Sequence, residues 1–554
     1  RSRGEGLNMI STHRNAVPVL LMALVGCAFL AMAIGRAPRP ARSKESGAPL
    51  ILPANARASE GTVITIRAQQ GDHLWYTTNG DGSDPRYGDD HITLNAAPDM
   101  RAVSAVLSTP TAVQWRHPLF GLPGAMVVRA GGSARGPLVM RTYLFADHGV
   151  LPVISISALN EDLFDPEKGI AVVGDGMLYA DEDVLNAYAT DPKWWRYPGN
   201  YHGRGKEWER PARMQLIAAD GNEVFQCDVD LRINGYNTRG FPQHAFRLLF
   251  REPLSVAPFP DGDGIGSEAL ILRAAGNDQV KAMMRDAYQH ALCEGAPFET
   301  SKALTCVVYV NGAYNGVHHL RQRMDEKELA RRHGIKTSQI TLLENSSVLA
   351  HGDEEDAQVF GRIVGQTERW NGSDGGWLDT LEARVDVDGF LAYMAGQMIL
   401  GNMDWPKQNL KYWRYTGTPR DQQPLDGKWH FIMGDSDLGF GANAPASSDM
   451  FARVRDTNAP IARLFLSMMR SPVLKARFLA QAGLLLEGPL STARCGAVLE
   501  DFVTRMGPEM DRHTARWRKP LDKRSWSVEV EVMRRFAQER AGHVRQQLDR
   551  FRSE

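Results

Sequence analysis

Apolar and polar positions alternate from 224 to 233: Phe225, Cys227, Val229, Leu231 and Ile233 fall on one face, and Gln226, Asp228, Asp230 and Arg232 on the other. A period of two predicts a half-buried strand. The turn 234–240 follows, and residues 245–250 read as a second strand. Further runs predict a helix over 282–292, a strand over 304–310, a hairpin turn at Asn311-Gly312 and a returning strand over 317–320. Residues 351–379 are polar and glycine-rich and read as an exposed insertion, while the chain from 480 to 551 is amphipathic and helical. Upstream, from about 53 to 145, short β-type runs such as Val63–Arg67 and 126–129 alternate with turn signals. That pattern predicts a small β-sandwich. The expected fold class is α+β. The expected division is a leading segment and linker at 1–47, a sandwich at 48–148, a larger α+β core at 149–480 and a helical C-terminal part of that core at 481–554.

Residues 17–35 carry no charge. A run of that length crosses a bilayer as a helix or serves as a secretory signal. His13 and Arg14 precede it, and Arg36, Arg39, Arg42 and Lys44 follow, so the flanks do not fix an orientation. Either way the chain is expected outside the cytoplasm, on the periplasmic or extracellular face, secreted or held to the membrane by this segment. The stretch 24–27 (Leu-Val-Gly-Cys) resembles a lipoprotein box, but the apolar run continues past Cys27, which argues against lipidation. Lys plus Arg (64) balance Asp plus Glu (65), which excludes a global field for nucleic acid. Five cysteines exclude a disulfide-built scaffold. Cys227, Cys293, Cys306 and Cys495 match no metal knuckle; outside the cytoplasm four cysteines allow two bridges, but Cys227 and Cys306 sit in strand-like runs, which favours unpaired burial.

The stretch that carries chemistry begins with a helix at 388–400. A loop holding Asp404 and Asn409 follows, then a strand at 410–415, a turn, a strand at 428–433 and the sequence Gly434-Asp435-Ser436-Asp437. Phosphoryl transfer needs one carboxylate to orient the attacking hydroxyl and receive its proton. It also needs an amide oxygen and a second carboxylate to hold a divalent cation against phosphates. A loop after a rigid helix fixes the first two groups, and a strand end fixes the third. The Asp-x-x-x-x-Asn spacing alone carries little, because Asp90 with Asn95 and Asp181 with Asn186 repeat it without such a context. The joint occurrence on one helix, loop and hairpin is what carries the reading, and protein kinases present the same order.

The run GNMDWPKQNLKYWRY…GKWHFIMGDSDLGFG resembles the spore-coat CotH kinase family, with its Asp before a His/Gln-Asn and its WDxDxxFG. LRINGYNTRGFPQHAFRLLF is similar to the family's RxxGNSSRxxPKKSYxxxF, and YVNGAYNGVHHLRQRMDEKEL to YLNGxYxGxYxLxERID. VKAMMRDAYQHAL resembles the family's helix carrying Arg-Asp, and the likeness covers roughly residues 150 to 550. It implies an atypical kinase core that uses ATP with Mg²⁺ or Mn²⁺ to phosphorylate an exported or envelope protein. Carried over by position, Asp404 is the catalytic residue, and Asn409, Asp435 and Asp437 are metal ligands. Gly235, Asn237, Arg239 and Gly240 form the loop over the phosphates, with Arg247 beside it. The family's PKK lysine falls on Gln243 and His244, and its ER glutamate on Gln322, so the Lys–Glu pair is missing. Arg239, Arg247 or Lys281 then becomes the candidate positive charge. Separately, Trp75 to Arg86 (WYTTNGDGSDPR) resembles the YTTDGSDP signature of the immunoglobulin-like domain of chitobiases. Residues 79–84 are expected to form a tight acidic turn rather than a ligand site.

His318-His319 invites a metal, but adjacent strand residues face opposite ways. Trp194, Trp195 and Trp208 are expected to be buried, and Arg534, Arg535, Arg540 and Arg545 to form a solvated basic face. Two other functions compete with the kinase: a catalytically degenerate envelope scaffold, and a metal-dependent glycosyltransferase using Asp435 and Asp437. The second would bring a doubly wound nucleotide domain, and no such βα alternation is present.

Overall fold

The alternating run folds as predicted, into the strand Glu223–Asn234 of a closed seven-stranded barrel. In a computed structural model, residues 47–69, 73–132, 137–177, 193–345 and 347–554 are described. The apolar run 17–35 and the linker as far as 46 lie outside the described residues. Among the described residues no helix is long and apolar enough to cross a membrane.

Around the barrel the strands run Glu223–Asn234, Ala245–Phe250, Ala269–Arg273, Ala313–Gln322, Ala303–Val310, Val153–Ala158 and Arg210–Ile217, which closes on the first. All pairings are antiparallel except Ala303–Val310 with Val153–Ala158. Closure puts one face of every strand inside. That face supplies Phe225, Val229, Leu231, Ile233, Phe246, Leu248, Leu270, Leu272 and Leu320 to one apolar cluster. Alternation turns Arg232, Arg247, Arg273 and Arg321 to the outside.

Two small antiparallel sheets precede the barrel. One holds Leu50–Leu52, Val63–Arg67 and His91–Asn95; the other holds Leu74–Thr77, Arg86–Gly88, Ala125–Gly131 and Val139–Leu144. Both sheets contribute to a single core that includes Ile51, Ile64, Ile66, Leu74, Met126, Val128 and Tyr143. The expected acidic turn is present: Asp81 Oδ1 accepts from Ser83 N (3.0 Å) and Ser83 Oγ (2.8 Å). Gly80 departs from the signature for a visible reason, since a Cβ there would lie 1.9 Å from the backbone oxygen of Asn311. Ser157 Oγ donates to Gly80 O at 2.6 Å, so this turn is docked on the barrel. Ser46–Glu554 form one compact unit.

The C-terminal half is helical around a four-stranded sheet of Val348–His351, Ile340–Glu344, Leu410–Tyr415 and Trp429–Met433. Its central helix, Val387–Leu400, is buried at every position except Asp388, as expected of a helix apolar all round. The 31-residue helix Lys523–Ser553 buries Trp526, Val530, Met533, Ala537, Ala541, Val544, Leu548 and Phe551, a stripe at helical spacing.

Two expectations are corrected here. The stretch 351–379 is not an exposed insertion: it contains the helix Glu354–Arg369, with Ala357, Phe360, Ile363, Val364 and Thr367 buried along one face. Charged positions and two glycines diluted that stripe. Arg540 is not solvated. It is buried, and its guanidinium donates to the carbonyls of Met398 (2.6 Å), Ile399 (2.9 Å) and Ala446 (2.6 Å). A cation on the last carbonyls of the central helix suits the helix dipole. The four cysteines beyond the leading segment are free, with Cys293, Cys306 and Cys495 buried and Cys227 partly so.

Candidate functional site

The central helix ends at Gly401, in the left-handed conformation (φ 65°). The loop that follows is pinned from two sides. Arg453 donates to the carbonyls of Trp405 (2.7 Å) and Met403. The buried Asn402 side chain accepts from Asp404 N (3.3 Å), while its amide donates to Gln397 Oε1 (3.1 Å) and Asp435 O (3.2 Å). Asn402 therefore ties the Asp404 loop to the strand end that bears Asp435. Asn409, at φ 61°, donates from Nδ2 to Asp404 Oδ2 at 3.3 Å. Gly434 lets the two segments touch, because a Cβ there would come 2.2 Å from Asn409 O.

Asp435 and Asp437 share one guanidinium. Arg273 Nη2 lies 2.7 Å from Asp435 Oδ1 and 3.0 Å from Asp437 Oδ2. Asp437 also accepts from Asn277 N (2.8 Å) and Asn277 Nδ2 (3.3 Å), and Asp435 Oδ1 accepts from Asp437 N (3.1 Å). Behind them Asp286 accepts from Ser436 N (3.1 Å), pairs with Arg321 and lies 3.4 Å from Arg273 Nε. Gly276 is required at φ +60°, where a Cβ would lie 2.2 Å from Asp437 Oδ2. The two carboxylates differ in access: the Asp437 side chain is 1% exposed and that of Asp435 30%. Every bond that Asp435 accepts on its side chain among the described residues falls on Oδ1.

Charge follows this geometry. Burial and the charge of Asp435 push the Asp437 carboxyl up; at Asp435 burial is opposed by Arg273, the Asp437 N–H and Arg321, which together hold it below the usual carboxylate range. Burial and the charge of Asp435 also raise Asp404, against the opposing pull of Asn409 and Arg453. Asp404 and Asp435 thus face one another closely enough to repel.

The structure brings Asp404, Asn409, Asp435 and Asp437 together. It joins the 235–240 loop to a different neighbourhood. Arg239 is buried and donates to Gly235 O (2.8 Å), Gly203 O (2.7 Å) and Tyr201 O (3.2 Å). A Cβ on Gly240 would meet Trp195 O at 2.2 Å, Gly235 sits at φ +118°, and Asn237 is exposed in the 3-10 turn Asn237–Gly240. Among the described residues no hydrogen bond or ion pair joins this loop to the four site residues. Arg247 lies on the outer face of the barrel, and Lys281 is held by Ala442 O and Asn443 Oδ1 (3.0 Å). The positions of the absent Lys–Glu pair are used elsewhere. Gln243 donates to Asn315 O (3.2 Å) and Val317 O (3.0 Å), His244 bonds Thr111 O (3.0 Å), and Gln322 donates to Asp263 (2.8 Å). His318 and His319 are buried, their rings hydrogen-bonded to His244 O (3.3 Å) and Met283 O (2.7 Å) respectively.

Arg273, Asn277, Arg321 and Asn402 were not foreseen. Arg273 merely ends an apolar strand, and Asn402 precedes the motif by two residues, so neither has a local signal. Asp286 was visible only inside the Arg-Asp helix.

A buried helix, an Asp-to-Asn loop, a hairpin and a strand-terminal Asp follow one another here in the order that protein kinases present. A family profile described as CotH kinase protein matches residues 231–544, more than half of the chain, and the chain belongs to that family. A search of curated proteins gave no match.

Proposed function

We propose that this chain is an exported phosphotransferase that moves the terminal phosphoryl group of ATP to a hydroxyl of an envelope or secreted protein. The observation that carries it is the Asn402-tied junction of Asp404 and Asn409 with Asp435. Among the described residues, no group of three or more His, Cys, Asp or Glu side chains stands ready to hold a metal. Mg²⁺ or Mn²⁺ would be held by one or two carboxylates together with phosphate oxygens and water. Asp435, whose Oδ2 has no hydrogen bond among the described residues, and the Asn409 amide oxygen are the ligands in this reading, while Asp437 positions Asp435 through Arg273 and its own backbone N–H. The cation supplies neutralisation of charge on the phosphate oxygens when bound. Asp404 orients the acceptor hydroxyl and receives its proton as the new P–O bond forms and the bond to the leaving diphosphate breaks. Its raised affinity for protons suits that task.

In the same reading residues 1–47 direct export or anchor the chain, 48–148 form an immunoglobulin-like module of the chitobiase type, and 149–554 form the kinase core. A second reading, a non-catalytic scaffold, draws on one observation: Arg273 already pairs with both Asp435 and Asp437. Transfer of label from γ-labelled ATP to protein, with Mg²⁺ or Mn²⁺, separates the two. Wild type labels itself or added envelope protein and Asp404→Asn does not; no labelling under any metal would leave the scaffold.

A further inference from the structure

Arg232 and Arg247 are direct cross-strand partners on the outside of the barrel. One strand further on, Arg247 is opposite Ile271, which is opposite Arg321. Arg323 follows the end of that strand, and its charge acts on Arg247. The row therefore runs from the guanidinium paired with Asp286, behind Asp435, over four adjacent strands toward the 235–240 loop.

Most of its members have partners. Arg321 pairs with Asp286, Arg323 with Asp325, and Arg232 with Glu209 at 3.3 Å. Arg247 differs. Among the described residues it has no hydrogen bond or ion pair, and its Nε is buried without an acceptor. Burial and the like charges of Arg323, Arg232 and Arg239 push its guanidinium down to about 9, against the pull of Glu209. A half-buried guanidinium ringed by cations and lacking an acceptor is unfavourable in the free protein, and an anion removes the penalty. Across the loop the Tyr236 side chain is 76% exposed, with the Arg204 guanidinium 5.7 Å from its ring centre.

We infer that Arg247, flanked by Arg232 and Arg323, is the seat of a polyphosphate chain, taking the place of the absent lysine. The inference rests on the nucleotide reading above and deepens it, since the phosphates would then lie between this row and Asp435. The planar guanidinium fork suits two phosphate oxygens at once.

The test is titration calorimetry of the full chain with inorganic tripolyphosphate at low salt, without metal. Wild type binds; Arg247→Gln weakens binding by about ten-fold or more, the loss of one charged hydrogen-bonding group; Arg247→Lys retains part of it. The ligand-free Gln variant unfolds at the same temperature as wild type or higher, because a repelling charge has gone. Wild type that ignores tripolyphosphate, a Gln variant that binds it equally well, or a Gln variant that unfolds earlier would each overturn the assignment. Failure of ATP with Mg²⁺ to bind better than tripolyphosphate, with the Arg247 effect intact, would instead sink the nucleotide reading and keep the anion seat.

Discussion

Replacing Arg273 by alanine removes the group that joins three carboxylates. Its Nη2 serves Asp435 and Asp437 at 2.7 and 3.0 Å, and its Nε stands 3.4 Å from Asp286. Stripping the partner from a buried carboxylate costs about 3–5 kcal/mol. Asp437 retains both Asn277 donors, and Asp286 retains Arg321 and Ser436. The loss should therefore sit near the low end, about 3 kcal/mol. Ser46–Glu554 unfold with an entropy of roughly 1 kcal/mol per kelvin, so the midpoint should fall by about 3 °C. Sign matters as much as size. Asp437 already holds its proton more tightly than usual, and without Arg273 it holds it more tightly still. The deficit is then largest above the carboxylate range and shrinks as acid protonates the pair. Arg273→Lys keeps a charge but not the fork, and should fall between. Urea unfolding of the three proteins from about pH 5 to about pH 8 measures it. An Arg273→Ala midpoint equal to wild type, or a deficit that grows on acidification, would refute the reasoning.

Three further outcomes follow from particular contacts. His430 is buried; its hydrogen bonds to Asp386 (3.2 Å) and Asp426 (2.8 Å) outweigh burial and raise it to about 9. That stability is fully present below about pH 6.5 and is lost as pH rises through about 9, at most about 3 kcal/mol, so His430→Gln should flatten the decline seen by thermal melts in this window. Gly434→Ala places a methyl 2.2 Å from Asn409 O and should cost about 1–3 kcal/mol in urea unfolding while displacing the Asn409 loop; a variant with wild-type stability and transfer rate would remove the close approach from the account. Gly80→Ala meets the Asn311 backbone at 1.9 Å and should make the N-terminal sheets more sensitive to limited proteolysis than the barrel, whereas unchanged cleavage would count against that docking contact.

Elements whose pattern is local were legible in the sequence. Leu410–Tyr415 and Ala245–Phe250 fall on their expected bounds, because turn residues and a period of two mark both ends. The hairpin partner expected at 317–320 is longer, Ala313–Gln322, since burial on both sides of the barrel strand hides its alternation behind His318, His319 and Gln322. The helix at 354–369 was missed because its buried stripe is diluted by charges. At the site, the approach of Asn409 to Asp404 and of Asp437 to Asp435 was readable from the order of elements. Arg273 and Asn402 were not, because their meaning comes from contacts across 162 and 33 positions of chain. The absence of the Lys–Glu pair was legible in sequence, and the structure shows Gln243 and Gln322 bonded to groups other than Asp435.

The central claim is that Asp435 and Asn409 hold a divalent cation against nucleotide phosphates, with Asp437 in support. Titration calorimetry of ATP with and without Mg²⁺, on wild type, Asp435→Asn and Asp404→Asn, tests it most directly. The account predicts that Mg²⁺ tightens binding to wild type by about ten-fold or more, that Asp435→Asn loses this gain, and that Asp404→Asn keeps most of it. Binding that ignores Mg²⁺ in wild type and is the same in both variants would contradict it.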